Sequence, residues 1–366
     1  MTDKDRLLNE FQTLVGFDAE SGCEAEIRAY LREKLVSLGL KVTEDAAGNL
    51  LGVLPGTREG EPLLFSSHMD TVSPGKGKRA ILGEDGVIRS DGTTVLGADD
   101  AAGLAAILEA LTVIREKALE HPALEILFTV QEELYSGGGS AFDYRALRSR
   151  TAYVLDLTGP IGTAALCAPS ILSLDISVQG KAAHAGFAPE EGVNALTIAA
   201  RALSTLETGH VEADTTVNFG MIEGGQRRNI VPEQVHIRGE IRSLRHERAI
   251  AEGEKIRACF AREAEKLSGR AEVTVKEEVH AYRTAADAPV VRRFQRALDS
   301  LGYGEAKLIE TFGGSDNNVF ALAGLEGIVL ACAMENVHST AEYCVFSELQ
   351  KSAELTLRLM TLEDRA

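Results

Sequence analysis

No run of lysine and arginine long enough to follow a phosphate backbone occurs in the chain, and 38 Lys and Arg stand against 55 Asp and Glu. Nucleic acid is therefore not an expected partner. No apolar stretch approaches the about 20 residues that span a bilayer, so no membrane partner is expected either. The opening MTDKDRLLNE is charged and lacks the apolar core of a secretory signal. Cys23, Cys167, Cys259, Cys332 and Cys344 are scattered and include no C-x-x-C, which fits a reducing compartment with the thiols as small buried apolar groups. The expected location is the cytoplasm. The glycine-rich pieces SGGGS and FGGSD lack the order of a phosphate-binding loop or a dinucleotide fingerprint. No G-x-S-x-G elbow marks a serine hydrolase.

What is present is a chain of 366 residues, 45% hydrophobic and 25% charged, enough for two domains or one interrupted by another. Its acidic surplus leaves carboxylates available for divalent cations. Helical periodicity covers residues 4–15 and 24–38, with Gly39 as the stop. Strand-like runs follow at 50–54, 63–67, 124–130 and 152–157, and the helical segment AAGLAAILEALTVI lies between the second and third. That alternation predicts an α/β sheet covered on both faces. From residue 171 the order becomes β-α-β-β-α-β, a ferredoxin-like insert bounded by CAPS at 167–170 and TAADAP at 284–289. The α/β pattern then resumes with a helix from 290, a strand at 327–332 and a last helix over 346–362. The expected domains are 1–169 with 283–366, and 170–282 between them.

Chemistry gathers in five segments, SSHMD, LGADDAAG, TVQEEL, VLDLTG and ENVHST. Each puts acids or histidines at a strand end or a helix start, the edge at which α/β sheets bind ligands. In SSHMD, His68 and Asp70 are two apart and share a strand face. A metal-binding histidine usually gives its second ring N–H to a carboxylate, which fixes its tautomer and aim. Alone, the pair reads better as a surface histidine beside a solvated acid. The five segments together supply His68, Asp70, Asp99, Asp100, Glu132, Glu133, Asp156 and His338. So many carboxylates in one cleft would drive protons back onto one another, and bound divalent cations remove that repulsion.

In this order H-M-D-T-V, G-A-D-D-x-A-G, E-E, a strand-end Asp and a late His resemble the di-zinc exopeptidases that include peptidase T, carboxypeptidase G and the aminoacylases. The likeness runs from about Asn9 to the C-terminus and is closest to the peptidase T branch in LGADDAAGLAAI. The resemblance implies a mixed-sheet zinc exopeptidase domain with an inserted α+β lid and dimerisation domain. It implies one zinc held by His68 and Asp156, a second by Glu133 and His338, and Asp99 bridging both, with cobalt or manganese able to substitute. It further implies Asp70 as the partner that orients His68, a cis peptide at Asp99–Asp100, and Glu132 as general base. Glu132 and Glu133 are expected to diverge as neighbours on extended backbone. His184 in GKAAHAG is implied to reach across a homodimer interface and stabilise the oxyanion. Asn229 in RRNIVP, Arg242 in GEIRSL, and Gly314 and Ser315 in FGGSDNNVF match positions that grip a substrate carboxylate. Arg242 reads equally as a cross-strand surface charge.

The implied activity is hydrolysis of short peptides, with an aminotripeptidase first and an N-acyl amino acid hydrolase or carboxypeptidase as alternatives. A non-catalytic, metal-dependent dimeric binding module is the alternative of another class. Ala101 and Ala102 after G-A-D-D, EELYSGGG in place of E-E-x-G, and AHAG in place of V-H-P-G depart from the pattern. These changes surround the pocket rather than the ligands, so they bear on substrate choice.

Overall fold

The structure, a computed structural model, describes residues 2–363. The chain divides into two compact units. One holds residues up to 167, 283–311 and those from 315 onward, and the other holds 168–282 with 312–314.

The first unit is built on a mixed sheet. Its order is Lys41–Glu44, Leu50–Leu54, Leu124–Thr129, Leu63–His68, Thr151–Leu157, Glu326–Ala331 and Thr163–Ala168, with Lys307–Glu310 also paired to the last. The four strands from Leu124–Thr129 to Glu326–Ala331 are parallel, and all six residues of Leu63–His68 are buried. Parallel strands covered on both faces need continuous apolar runs, which LLF at 63–65 and ILF at 126–128 supply.

The helix Ala98–Lys117 is buried on almost every side. It packs on the sheet and against the helices Lys4–Val15 and Phe346–Thr361. Leu104, Ile107, Leu108 and Leu111 lie in this core, each contributing about 1.5–3 kcal/mol by leaving water. Midway along the helix the buried acid Glu109 accepts from Arg6 Nε at 2.6 Å and from the Asp3 amide at 2.7 Å, so the charge is paired. Asp3 also caps the first helix, accepting from the Asp5 and Arg6 amides. Gly39, at φ 93°, ends the second helix, Ala25–Ser37.

The second unit is antiparallel, in the order Gly209–Glu212, Thr215–Gly224, Gln234–Ser243, Ser170–Gln179, Arg270–Val279. Without the short edge strand this is the ferredoxin-like arrangement. Leu172, Leu174, Ile176 and Val178 alternate onto one face and pack with Ile198, Ile256 and Phe260 of the helices Ala195–Ser204 and His246–Lys266. Among the described residues no helix is long and apolar enough to cross a membrane. All five cysteines are free; four are buried, while Cys23 is exposed and so departs from the expected buried role.

Several elements differ from the sequence reading. CAPS is not a linker: strands Thr163–Ala168 and Ser170–Gln179 run up to Pro169 from both sides. From Asp316 in FGGSDNNVF a helix, Asp316–Leu322, runs past the end of the motif, capped by Ser315 and Asn318 in a reciprocal capping box. A small sheet of Met334–Glu335, Tyr343–Val345, Val87–Arg89 and Ile81–Leu82 was not foreseen, because two- and three-residue strands carry no usable periodicity.

Candidate metal centre

Two strand ends, a helix start, a turn and a loop deliver the five expected ligands to one place in the first unit. His68 closes its strand, Asp156 lies near the end of Thr151–Leu157, and Asp99 sits where the central helix begins. Asp99 and Asp100 have non-helical dihedrals and are joined by a cis peptide, as the resemblance implied. His338 comes from the loop between two strands of the small sheet and has φ 60°.

The Asp99 carboxylate divides between two histidines. Its Oδ1 lies 3.0 Å from His68 Nε2 and its Oδ2 lies 3.3 Å from His338 Nε2. Asp156 Oδ1 is 3.8 Å from His68 Nε2, and Glu133 Oε2 is 2.9 Å from His338 Nε2. Two three-residue clusters, His68–Asp99–Asp156 and Asp99–Glu133–His338, therefore share Asp99, each with its donor atoms within 4.8 Å of one another.

Electrostatics argue that this set suits cations. Burial pushes Asp156, Glu132 and Glu133 above the usual carboxylate range, with neighbouring carboxylates adding to it. Burial would lower His68, but hydrogen bonds to Asp70 and Asp99 outweigh it and raise the ring well above its ordinary value. Hydrogen bonds to Asp99 and Glu133 raise His338 to about 10. Protons thus occupy places that a divalent ion would fill with more charge. Glu133 Oε1 is buried without a hydrogen-bond partner, as a carboxylate oxygen meant for a cation would be. Imidazole nitrogens mixed with carboxylate oxygens suit zinc and its borderline neighbours.

Asp70 does more than face His68. His68 Nδ1 lies 3.0 Å from the Asp70 carbonyl oxygen and 3.4 Å from Oδ1. The carboxylate also accepts the Glu132 amide at 2.9 Å, the Glu133 amide at 3.2 Å and the Ser21 hydroxyl at 2.7 Å. One side chain thereby positions a histidine and the turn carrying both glutamates. That turn is not extended backbone, as Gln131, Tyr135 and Ser136 have positive φ. The two glutamates diverge because the chain turns: Glu133 meets His338, and Glu132 Oε1 accepts from Ser136 Oγ at 3.3 Å.

Asp100 is buried behind the centre, accepting from Ser67 Oγ at 2.5 Å and from the His68 and Gly103 amides at 3.2 and 3.1 Å. Burial raises its carboxyl to about 8. Two further acids escaped the sequence reading. Glu342 accepts the Gly97 amide at 2.7 Å and the Asp99 amide at 3.0 Å, and burial raises it to about 7. Asp316 accepts from Thr129 Oγ1 at 2.5 Å, and burial lifts it to about 6. Their signals were available: Glu342 stands four residues past His338, and Asp316 lies inside the glycine-rich motif.

The remaining candidates belong mostly to the second unit. His184 is exposed, its Nδ1 accepting the Gly186 and Phe187 amides, so the neutral ring carries its proton on Nε2. The Asn229 carbonyl accepts the Ala185 amide, which places the Asn229 and His184 loops side by side. Arg242 is engaged: Nε and Nη2 donate to Glu240 at 2.8 and 3.2 Å, and Nη1 donates to the Phe312 carbonyl at 2.8 Å. Ser315, expected to help grip a substrate carboxylate, is buried and its amide already donates to Asn318 Oδ1 at 3.1 Å. Gly314 is exposed.

Comparison with known proteins adds family context. The peptidase dimerisation domain of the M20 type matches residues 169–268, and the model of peptidase family M28 matches 49–218. YqjE of Bacillus subtilis (strain 168) is 39% identical across 98% of this chain and 99% of its own. The aminopeptidase PepT from Bacillus cereus ATCC 10987 is 39% identical with a TM-score of 0.91, covering 98% of each chain. A tripeptidase from Staphylococcus aureus subsp. aureus mu50 is 36% identical with a TM-score of 0.96, covering 99% of each.

Proposed function

The chain belongs to the peptidase T-like branch of the M20 metallopeptidases, and from that premise we propose that it is an aminotripeptidase working at a centre of two zinc ions. The observation that carries the reading is the division of the Asp99 carboxylate between His68 and His338, at 3.0 and 3.3 Å. His68 and Asp156 would hold one ion, Glu133 and His338 the other, with Asp99 common to both. Three protein donors on each side leave a position for water or substrate. When bound, such a pair polarises the scissile carbonyl and acidifies water.

The chain's own groups do the rest. Glu132 takes the proton of the attacking water on a carboxylate oxygen and passes it to the leaving amine. Asp70 keeps that base in place through the two amides it accepts. His184, with its proton on Nε2, is the donor offered to the oxyanion from the partner subunit. Asn229 and the backbone at Gly314 would receive the substrate's carboxylate, and Arg242 would join them by exchanging Glu240 for it. Residues 1–169 and 283–366 form the catalytic domain of this reading, and 170–282 its lid and dimerisation domain, which the match at 169–268 supports. The proposed protein is a cytoplasmic homodimer.

A panel of tripeptides with free and acetylated N-termini tests the assignment. Only the free peptides are expected to turn over. Equal turnover of the acetylated set would overturn the aminopeptidase reading in favour of an N-acyl amino acid hydrolase or carboxypeptidase.

A further inference from the structure

A second constellation of metal-binding type lies wholly within the inserted unit. His246 opens the helix His246–Lys266, and Glu277 and His280 stand at the end of the strand Arg270–Val279 and just beyond it. Their donor atoms all fall within 4.8 Å of one another. His280 Nδ1 is 2.8 Å from Glu277 Oε1, and His246 Nε2 is 3.9 Å from Glu277 Oε2. The two imidazoles stack with centroids 3.9 Å apart and planes 30° from parallel.

Donors about 2.0–2.2 Å from a tetrahedral zinc are about 3.3 Å from each other, a value that the two measured separations bracket. The His280 ring, stacked on His246 and bonded to Glu277 through Nδ1, has to turn for its nitrogen to converge on an ion with His246 Nε2. The His246 ring is already aimed for it. Its Nδ1 lies 3.0 Å from Ser170 Oγ, a hydroxyl that also accepts the Ala281 amide at 2.8 Å. With Nδ1–H given to that oxygen, Nε2 is left bare toward Glu277, the arrangement in which an outer hydrogen bond fixes the tautomer of a ligating histidine. Side-chain exposures of 23% for His246, 42% for Glu277 and 31% for His280 give an ion a path from solvent.

We propose that His246, Glu277 and His280 bind one borderline divalent cation of the zinc class, separate from the centre at Asp99. Two imidazoles and a carboxylate occupy three positions, and the fourth faces water. The ion joins the first turn of the helix to the end of the strand, two residues short of where the chain leaves this unit at Tyr282. Ser170 acts through His246 as a positioning residue.

The test uses the full chain, freed of metal with chelator and equilibrated by dialysis against zinc chloride, with bound zinc counted per chain. The wild-type chain is expected to hold one ion more than His280→Ala and Glu277→Gln. That difference does not depend on how many ions the other centre takes. Tripeptide turnover in both variants is expected to match wild type. Ser170→Ala is expected to keep the ion but bind it roughly 10–100-fold more weakly. Equal zinc content in wild type and both variants would overturn the site.

Discussion

A single carboxylate changes the reading of Glu132. Asp70 accepts the amides of both glutamates, so the position of the base is set by hydrogen bonds to its backbone rather than by its own side chain. Replacing the carboxylate with an amide should therefore leave the turn and the cluster intact. Glu132→Gln is expected to retain metal while turnover falls roughly 10²–10⁴-fold, the usual worth of a positioned acid–base group. Metal content and kcat measured on one preparation check this. Undiminished turnover with metal bound would move the base elsewhere, and a chain inactive before mutation would favour a binding module. Histidines and acids at strand ends were readable one by one, since alternation and sheet topology say where they go. Glu342 and Asp316 were harder, because their only signals were nearness to His338 and to a glycine-rich motif, while the elements that carry them, the edge of the small sheet and a two-turn helix, are too short to show a period.

Among the elements, the helix Ala98–Lys117 depends on Gly103. A Cβ there would lie 2.5 Å from the Leu155 carbonyl oxygen and 2.5 Å from Asp100 Oδ1. Neither can move freely, as one is strand backbone and the other is held by Ser67 and the His68 amide. Gly103→Ala should cost at least the about 1–3 kcal/mol typical of overpacking and should push Asp99 out of register with His68. Chemical denaturation and zinc titration of the variant measure the two effects, and wild-type values in both would refute the argument. The helix, the long strands and the β-α-β-β-α-β insert were legible because each buries a face of definite period over many residues. Short pieces such as Lys41–Glu44 and Met334–Glu335 were not, since tertiary pairing alone makes them strands. Pro169 misled for a related reason: proline favours a break in sequence, yet at the junction of two strands it costs no ladder bond that either needs.

For the whole molecule, the clustered shifts make stability a function of pH. Asp316, Glu342 and Asp100 are raised to about 6, 7 and 8, so their folded forms hold protons that the unfolded chain has lost. His338, raised to about 10, contributes stability fully present below the unfolded histidine value and lost as pH climbs through 10. The three acids lower stability as pH rises from about 4 through about 6, 7 and 8 in turn, and His338 does so from about 6.5 to about 10. Asp99 is lowered instead, and its contribution is lost only in acid, below that window. Cations at the centre would take the place of the proton on His338 and favour the charged forms of the three acids nearby. The melting temperature of chelated protein should therefore fall from pH 5.5 to pH 8.5, and the gap to zinc-loaded protein should widen. A gap that stays constant or narrows would show that these acids do not answer to metal.

The two histidines that flank Asp99 are not equivalent, as the side chain of His68 is 1% exposed and that of His338 is 53% exposed. Solvent thus reaches one half of the pair far sooner than the other. With two ions bound as proposed, the ion beside Glu133 is expected to leave first, through a singly loaded species that keeps its cation at the sealed end. Chelator added to loaded chain should then strip it in two kinetic phases, the outer position emptying before the inner.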